Sequence, residues 1–236
     1  MTDRSTFPST FADRREAGIH LGRHLAQLGY GSGGAAGAGP LVLALPRGGV
    51  PVAFEVARAL NGQLDILLVR KIGAPGYPEL ALGAVVETDT PGVCHTVVNE
   101  DAWSQRLRDS GAFALERERQ LVELARRQQR YREGAPVAAM RGRTVIVVDD
   151  GVATGATMRS ALESARMAGA RRVVAAVPVA SQEGLDSLRQ SADVCISLLV
   201  PPGFGAVGAF YDDFDQTTDE EVMGLMRESG RGAEGA

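Results

Sequence analysis

The stretch that decides the fold is Val145-Ile-Val-Val-Asp149-Asp150-Gly151-Val-Ala-Thr154-Gly155-Ala-Thr157. Its four consecutive β-branched apolar residues predict a strand that is buried on both faces. Two carboxylates follow the strand, and a loop of small residues then leads into a helical pattern that begins at Met158. Ligands of open α/β sheets bind where strands end, so this segment predicts a binding site.

The loop and the two acids suit different parts of one ligand. A small-residue loop before a helix offers free backbone N–H groups and the positive end of the helix dipole, which favour a phosphate. Carboxylates can accept hydrogen bonds or approach a cation. Together they indicate a sugar phosphate. A Walker loop fits less well because Ala156 stands where its Lys is needed, and the G-x-G-x-x-G dinucleotide fingerprint is missing from this loop.

In order and spacing, these thirteen positions resemble the PRPP-binding motif of type I phosphoribosyltransferases. PRPP is 5-phosphoribosyl 1-diphosphate. The resemblance implies that Asp149 and Asp150 hold the ribose hydroxyls and Mg²⁺. It also implies that a phosphate loop binds the 5′-phosphate, formed by Ala153, Thr154, Gly155, Ala156 and Thr157. The alternative is an ordinary strand-to-helix turn that binds nothing.

A second motif, Leu45-Pro46-Arg47-Gly48-Gly49, also follows an apolar run. Paired glycines permit close backbone approach and unusual dihedral angles, and Arg47 supplies positive charge. In the family that the chain resembles, this is the diphosphate loop, often in a strained peptide geometry, so Gly48 and Gly49 are expected to bind the cofactor. Standing alone, the motif could equally be a plain turn.

The third motif runs from Val69 to Glu79 and places Arg70 and Lys71 before a segment with two Gly and two Pro. We expect a loop from Lys71 to Glu79. The resemblance implies a mobile catalytic loop that closes over PRPP and excludes water. The catalytic residues would then be Arg47, Arg70, Lys71 and Glu79. A surface loop with two solvated cations is the alternative.

Near the C-terminus, the segment from Val207 to Phe214 resembles the part of 6-oxopurine transferases that ends in a Mg²⁺-associated Asp. That Asp would be Asp212, with Phe210 or Tyr211 near the base; a hydrophobic strand with a solvated acidic end is the alternative. In the 6-oxopurine enzymes an Asp precedes the Thr-Gly of the phosphate loop. Here it is Ala153, which argues against hypoxanthine and guanine as acceptors.

The remaining pattern alternates strands and helices, which predicts an α/β fold with a mostly parallel twisted sheet flanked by helices, a small hood and an inserted helical segment. We expect one domain over 1–228 with a core of about 40–212, an insertion of about 101–133, and a flexible tail at 229–236. The insertion carries six Arg between Arg117 and Arg132, which we interpret as a solvated helix face with i,i+4 ion pairs. The expected elements outside the motifs are helices at 11–28, 51–60, 157–168 and 182–190, strands at 41–45, 64–69, 82–87, 93–98, 144–148, 172–177 and 193–199, and a last helix capped at Thr217 or Thr218.

The composition and net charge of the chain limit the kinds of partner that we expect. The chain has 236 residues, 44% of them apolar, with a net charge of −4 and a pI near 5.5, which argues against nucleic acid. No apolar run approaches the roughly 20 residues of a membrane span. Cys94 and Cys195 lie in apolar runs and are expected to be reduced, which favours a cytoplasmic location. We also expect a homo-oligomer, namely a dimer.

The sequence therefore predicts a phosphoribosyltransferase that uses PRPP and Mg²⁺ and transfers the phosphoribosyl group to a nitrogenous base or amine. A non-catalytic PRPP or nucleotide sensor on the same fold is the second hypothesis, because a sensor would keep the same loop. An Arg-rich nucleic-acid binder is disfavoured by the net charge.

Overall fold

The computed structural model describes residues 7–31, 39–74, 77–90, 92–98, 111–133, 135 and 137–230, with the backbone alone over 77–81. The helices in these ranges are α1 (Arg14–Gln27), α2 (Gly49–Leu60), α3 (Ala112–Arg132), α4 (Ala156–Met167), α5 (Gln182–Leu188) and α6 (Asp219–Glu228). The strands are β1 (Leu41–Ala44), β2 (Gln63–Ile66), β3 (Val69–Ala74), β4 (Tyr77–Glu87), β5 (Cys94–Val98), β6 (Thr144–Val148), β7 (Arg172–Val179) and β8 (Val194–Leu199).

The centre of the fold is a parallel sheet with the strand order β2-β1-β6-β7-β8. Alternate residues of its strands face two separate cores: Val42 and Ile146 pack with α1 and α2, whereas Leu43 and Val147 pack with α4. Apolar residues are needed on both faces, which explains the continuous apolar runs. The predicted mostly parallel sheet flanked by helices is confirmed.

A three-stranded antiparallel sheet, ordered β3-β4-β5, corrects two predictions. The single strand expected at 64–69 is interrupted at Leu67–Leu68, and its two halves join different sheets. The loop expected from Lys71 to Glu79 is mostly strand: Lys71 pairs with Ala84, and Ala74 pairs with Tyr77.

Gly and Pro are accommodated in these strands for two reasons. The register shifts on both sides of Gly73, where an irregularity needs a permissive residue. Among the described residues, β5 pairs with β4 only from Gly83 onward, and Pro78 lies before this pairing begins. A missing N–H is tolerated there. Residues 75–76, between the two strands, lie outside the described part.

Helix α3 begins after Gly111, whose φ is 65°, and residues 101–110 lie outside the described part. Its outer face carries the predicted ion pairs: Glu123 accepts hydrogen bonds from Arg126 and Arg127 at 2.8 Å and 3.0 Å. The inner face differs from the prediction, because Tyr131 and Arg132 are buried.

Arg132 joins the end of α3 to both sheets. Its guanidinium pairs with Glu87 of β4 and lies 3.7 Å from the carboxylate of Asp65 in β2. Glu87 also accepts from the Gln128 side chain and the Leu68 N–H. Burial raises the pKa of Glu87, and the charge of Arg132 offsets part of that rise. A buried charge needs such partners, so this cluster fixes where α3 lies.

The two ends of the described chain meet beside the parallel sheet. Phe11 exchanges backbone hydrogen bonds with Phe210 and Asp212, both within 2.9 Å. We call the joined segments 7–13 and 200–218 the hood. The hydrophobic strand that was the alternative for the segment from Val207 is instead a 3₁₀ turn over Val207–Phe210.

The last helix, α6, begins with a capping box formed by Thr218 and Glu221, which selects the second of the two predicted caps. Of the predicted tail, only 229–230 are described. Within the described ranges, no helix is long and apolar enough to cross a membrane.

Candidate active site

The loops that follow β1 and β6 emerge side by side. Ala44 and Val148 are in register, and the Leu45 N–H donates to the Val148 carbonyl at 2.9 Å. A Cβ on Gly48 would lie 2.0 Å from Asp150 Oδ2, and one on Gly49 would lie 2.8 Å from the Val148 oxygen. Both predicted glycines therefore permit a contact that a side chain would block. The peptide bond between Pro46 and Arg47 is cis.

The acidic pair is partly buried at the end of β6. Asp150 Oδ2 accepts a hydrogen bond from Arg14 Nε at 2.8 Å, and Asp149 Oδ1 accepts from the Asp150 N–H at 2.9 Å. Burial and the neighbouring charge of Asp150 raise the pKa of Asp149 well above its ordinary value. Burial also raises the pKa of Asp150, and Arg14 opposes that rise. Two carboxylates with one cationic partner make an environment that favours a further cation.

The predicted phosphate loop leads into α4. Gly155 has a φ of 78° and no side chain caps the helix, so the first-turn N–H groups of α4 are available to an anion. The Ser181 and Ser187 hydroxyls donate to the carbonyls of Ala153 and Thr154, which ties the loop to α5. Thr154 is exposed and Thr157 partly exposed, which leaves their hydroxyls near the same open end.

The predicted catalytic cations do not converge. Arg47 lies 3.6 Å from Asp219 at the start of α6. Arg70 donates to Gln120 of α3 at 2.9 Å, whereas Lys71 is exposed and its charge lowers the pKa of Asp149. Neighbouring residues of a strand point to opposite faces, so Arg70 and Lys71 cannot both face one ligand from β3 as it stands. The side chain of Glu79 lies outside the described part.

Asp212 does not join the acidic pair. It is exposed, and its backbone N–H donates to the Phe11 carbonyl within the hood. Across the described residues, no group of three or more His, Cys, Asp or Glu side chains is arranged to hold a metal ion. The third predicted metal ligand, Asp212, is thus not brought to Asp149 and Asp150, and a cation there would need further ligands from water or from a bound molecule.

Three residues of this site were missed or underrated in the sequence. Arg14 contacts Asp150, Phe214 stacks on Arg14, and the Tyr211 hydroxyl donates to the Asp150 carbonyl at 2.5 Å. One signal for Arg14 was available. Arg14 follows the N-cap Asp13, and a cation in the first turn of a helix opposes the dipole unless it has an anionic partner.

A cavity of about 560 Å³ lies on the other side of Arg14, between the starts of α1 and α2 and helix α6. None of the predicted site residues whose side chains are described lines it. Its walls combine apolar and acidic side chains, including Pro51, Phe54, Leu225, Asp13, Glu221 and Glu228. Acidic walls do not suit a phosphate, so the cavity is not the site that the motifs describe.

The chain is similar to known proteins over most of its length. The chain is 44% identical over 216 residues to two Mycobacterium tuberculosis proteins, one from each of two strains, both named "Putative phosphoribosyl transferase". The match covers 92% of this chain and 46% of each relative, so the chain spans about half their length. The crystal structure of TT1426 from Thermus thermophilus is 49% identical, with a TM-score of 0.77, and the match covers 93% of this chain and 98% of that one.

The family described as the phosphoribosyl transferase domain matches residues 14–214, which include both glycine-containing loops and the acidic pair. This match extends over most of the chain, and we conclude that the chain belongs to the phosphoribosyl transferase family.

Proposed function

We propose that the protein binds PRPP with Mg²⁺ and transfers the phosphoribosyl group to a nitrogenous base or amine, with release of pyrophosphate. One observation carries the proposal: the Gly48–Gly49 backbone lies against Asp149 and Asp150, beside the uncapped end of α4. A loop for diphosphate, acceptors for ribose hydroxyls and a cradle for phosphate thus adjoin at one edge of the sheet.

In this assignment, the 5′-phosphate binds at the start of α4. The N–H groups from Gly155 to Thr157 and the two Thr hydroxyls would donate to it, and Ala153 and Ala156 would contribute backbone only. Because the loop is held to α5 by Ser181 and Ser187, its donors are oriented before the ligand arrives.

Mg²⁺ fits the acidic pair, because burial and mutual repulsion leave Asp149 in need of positive charge. When bound, Mg²⁺ would neutralise part of the negative charge of the diphosphate group of PRPP. Asp149 and Asp150 would accept hydrogen bonds from the ribose hydroxyls and hold the ion's outer shell.

The leaving diphosphate would bind the backbone of Gly48 and Gly49, with Arg47 and Lys71 as counter-cations. Charge stabilisation of the leaving group is the main contribution that a protein makes to such a displacement. Arg70 is assigned to the same task only if β3 or α3 moves, since Gln120 holds it in this structure. Glu79 keeps its predicted place in the catalytic segment.

Ala153 restricts the acceptor. It offers no group for the proton of a 6-oxopurine, so hypoxanthine and guanine are expected to be poor acceptors compared with adenine and uracil. Pyrophosphate release should be measured with all four bases and with simple amines. Faster turnover with hypoxanthine or guanine than with adenine and uracil would show that Ala153 does not restrict the acceptor.

The direct test is calorimetric titration of PRPP with and without Mg²⁺, followed by the acceptor screen. Asp150→Asn should weaken PRPP binding severely while keeping the fold, because the neutral amide loses the charge attraction. Arg15→Gln is the matched control, since Arg15 is exposed and pairs with Glu55 away from the site. PRPP binding without turnover on any acceptor would favour the sensor, and no PRPP binding would contradict the proposal.

We retain the predictions of a cytoplasmic location and a homodimer as part of this proposal. The two cysteines, Cys94 and Cys195, are free and half-buried, which is compatible with a reducing compartment. Light scattering on the purified chain would determine the oligomeric state.

A further inference from the structure

Arg14 lies in the site although no motif includes it. We propose that Arg14 is a positioning residue that fixes the Asp150 carboxylate for the ribose hydroxyls of PRPP. The inference rests on the proposed function, because it uses the assignment of the acidic pair to ribose. Three features of the structure support this role: the contacts that hold Arg14, the contacts that hold Asp150, and the space left for the two to meet.

The guanidinium of Arg14 has three partners that together define its orientation. Nε donates to Asp150 Oδ2 at 2.8 Å, and Nη1 donates to the Asp215 carbonyl at 2.7 Å. Its Cζ lies 3.9 Å from the centre of the Phe214 ring, a stacked cation–π distance. A planar group bound at its edges and on its face has little rotational freedom.

Asp150 is held at two points as well. Its main-chain carbonyl accepts from the Tyr211 hydroxyl at 2.5 Å, and its side chain accepts from Arg14. With Oδ2 committed to Arg14, the other carboxylate oxygen is the one that can turn to a ribose hydroxyl. Ligand groups whose orientation is fixed in this way bind more tightly than free ones.

The fold makes room for this contact. The Arg14 and Asp150 side chains are only 11% and 16% exposed, so their attraction is screened less than that of a surface pair. A Cβ on Gly48 would lie 2.0 Å from Asp150 Oδ2 and 3.2 Å from Arg14 Nε. The lack of a side chain at Gly48 therefore also leaves room for the Arg14–Asp150 pair.

A double-mutant cycle on PRPP affinity tests the inference. Arg14→Gln should weaken PRPP binding about 10- to 100-fold, as the loss of a group that orients a ligand typically does. In the Asp150→Asn background, the same change should have less than about a threefold effect, because the group that Arg14 positions is already impaired. Arg15→Gln, on the same helical turn, should leave PRPP binding unchanged in both backgrounds.

Arg14→Lys keeps the charge but loses the planar fork, and we expect it to restore part of the affinity that Arg14→Gln loses. It also serves for the cycle if thermal unfolding shows that Arg14→Gln does not fold. Equal losses in the two backgrounds would mean that Arg14 acts independently of Asp150 and would overturn the inference, as would unchanged affinity in Arg14→Gln. Failure of the unaltered protein to bind PRPP would instead contradict the proposed function.

Discussion

The loops after β1 and β6 are held mainly by backbone contacts, whereas the C-terminal end of helix α3 is held by charged side chains. In the first region, Gly48 and Gly49 pack directly on the end of β6. In the second, Arg132 pairs with Glu87, and Arg130 pairs with Asp219 at 3.0 Å. The backbone contacts of the two loops are formed without a ligand. In helix α3, by contrast, an anionic ligand would have to compete with Glu87 and Asp219 for the arginine side chains.

This difference separates two tasks. Backbone N–H groups give a fixed cradle for a phosphate, and their position cannot change without moving the sheet. Arg70 is paired with Gln120 of α3, and a polyanion can draw it away. The α3 region is therefore where a change on ligand binding is expected.

The largest effect should come from the buried charge cluster. Arg132→Met leaves Glu87 and Asp65 without their buried cation, and we expect a loss of about 3–5 kcal/mol in the free energy of unfolding. Arg126→Met is the control, because it removes only an exposed i,i+3 pair with Glu123, which contributes little to stability. Urea unfolding measures both. Similar losses of unfolding free energy in the two variants would show that the buried cluster around Arg132 stabilises the protein no more than the exposed Arg126 pair does.

The next effect tests the backbone-held region. Gly48→Ala inserts a methyl group where Asp150 Oδ2 lies, and such overpacking costs about 1–3 kcal/mol. PRPP affinity should fall about 10- to 100-fold through the displaced carboxylate. Gly224→Ala is the control, since a Cβ there meets nothing within 4 Å and helix α6 favours Ala. Calorimetry would contradict the close-packed interpretation if both variants bound PRPP alike.

Hydrogen exchange compares the two regions without mutation. The amides of β6 are buried between two strands and should exchange only on global opening. Those of Gly73 and Ala74 belong to an irregular ladder and should exchange faster. If the segment closes over PRPP as the resemblance implies, PRPP with Mg²⁺ should slow them by roughly tenfold, about 1.4 kcal/mol. Unchanged exchange at these amides would contradict a closing role.

The smallest effect concerns the exposed face of α3. Hydrogen bonds from Arg126 and Arg127 lower the pKa of Glu123 from 4.5 to about 2. A depressed pKa in the folded state stabilises the protein above the ordinary value, and this stabilisation is lost as the pH falls from about 4.5 to 2. Because Glu123 is partly exposed, we expect less than about 0.5 kcal/mol. Glu123→Gln should remove that part of the acid dependence of the unfolding free energy. If the unfolding free energy of the variant depends on pH as it does in the unaltered protein, the stabilising role of Glu123 is refuted.

The sequence was sufficient for the parallel sheet and for the order of strand, acids, loop and helix around Asp149, since these elements are contiguous and their periodicity is local. It was insufficient for β3 and β4, where Gly and Pro predicted a loop and long-range pairing overrode them. Arg14 was missed because its partner Asp150 is distant in the chain and no local pattern links them. Asp212 was predicted from a short motif. The spacing of that motif did not indicate that Asp212 would be exposed and would pair with Phe11 in the hood.

The junction of Phe11 with Phe210 and Asp212 also has a consequence for biosynthesis. A ribosome releases the N-terminal segment first, yet the contacts that place Arg14 need the Asp215 carbonyl and the Phe214 ring, which are made much later. A nascent chain that ends after β8 has all strands of the parallel sheet and the phosphate loop, but no Tyr211 or Phe214 to complete the surroundings of Asp150. The surroundings of Asp150 are thus completed only by contacts between residues such as Arg14 and Asp215, which are 201 positions apart, and contacts of such long range are slow to form.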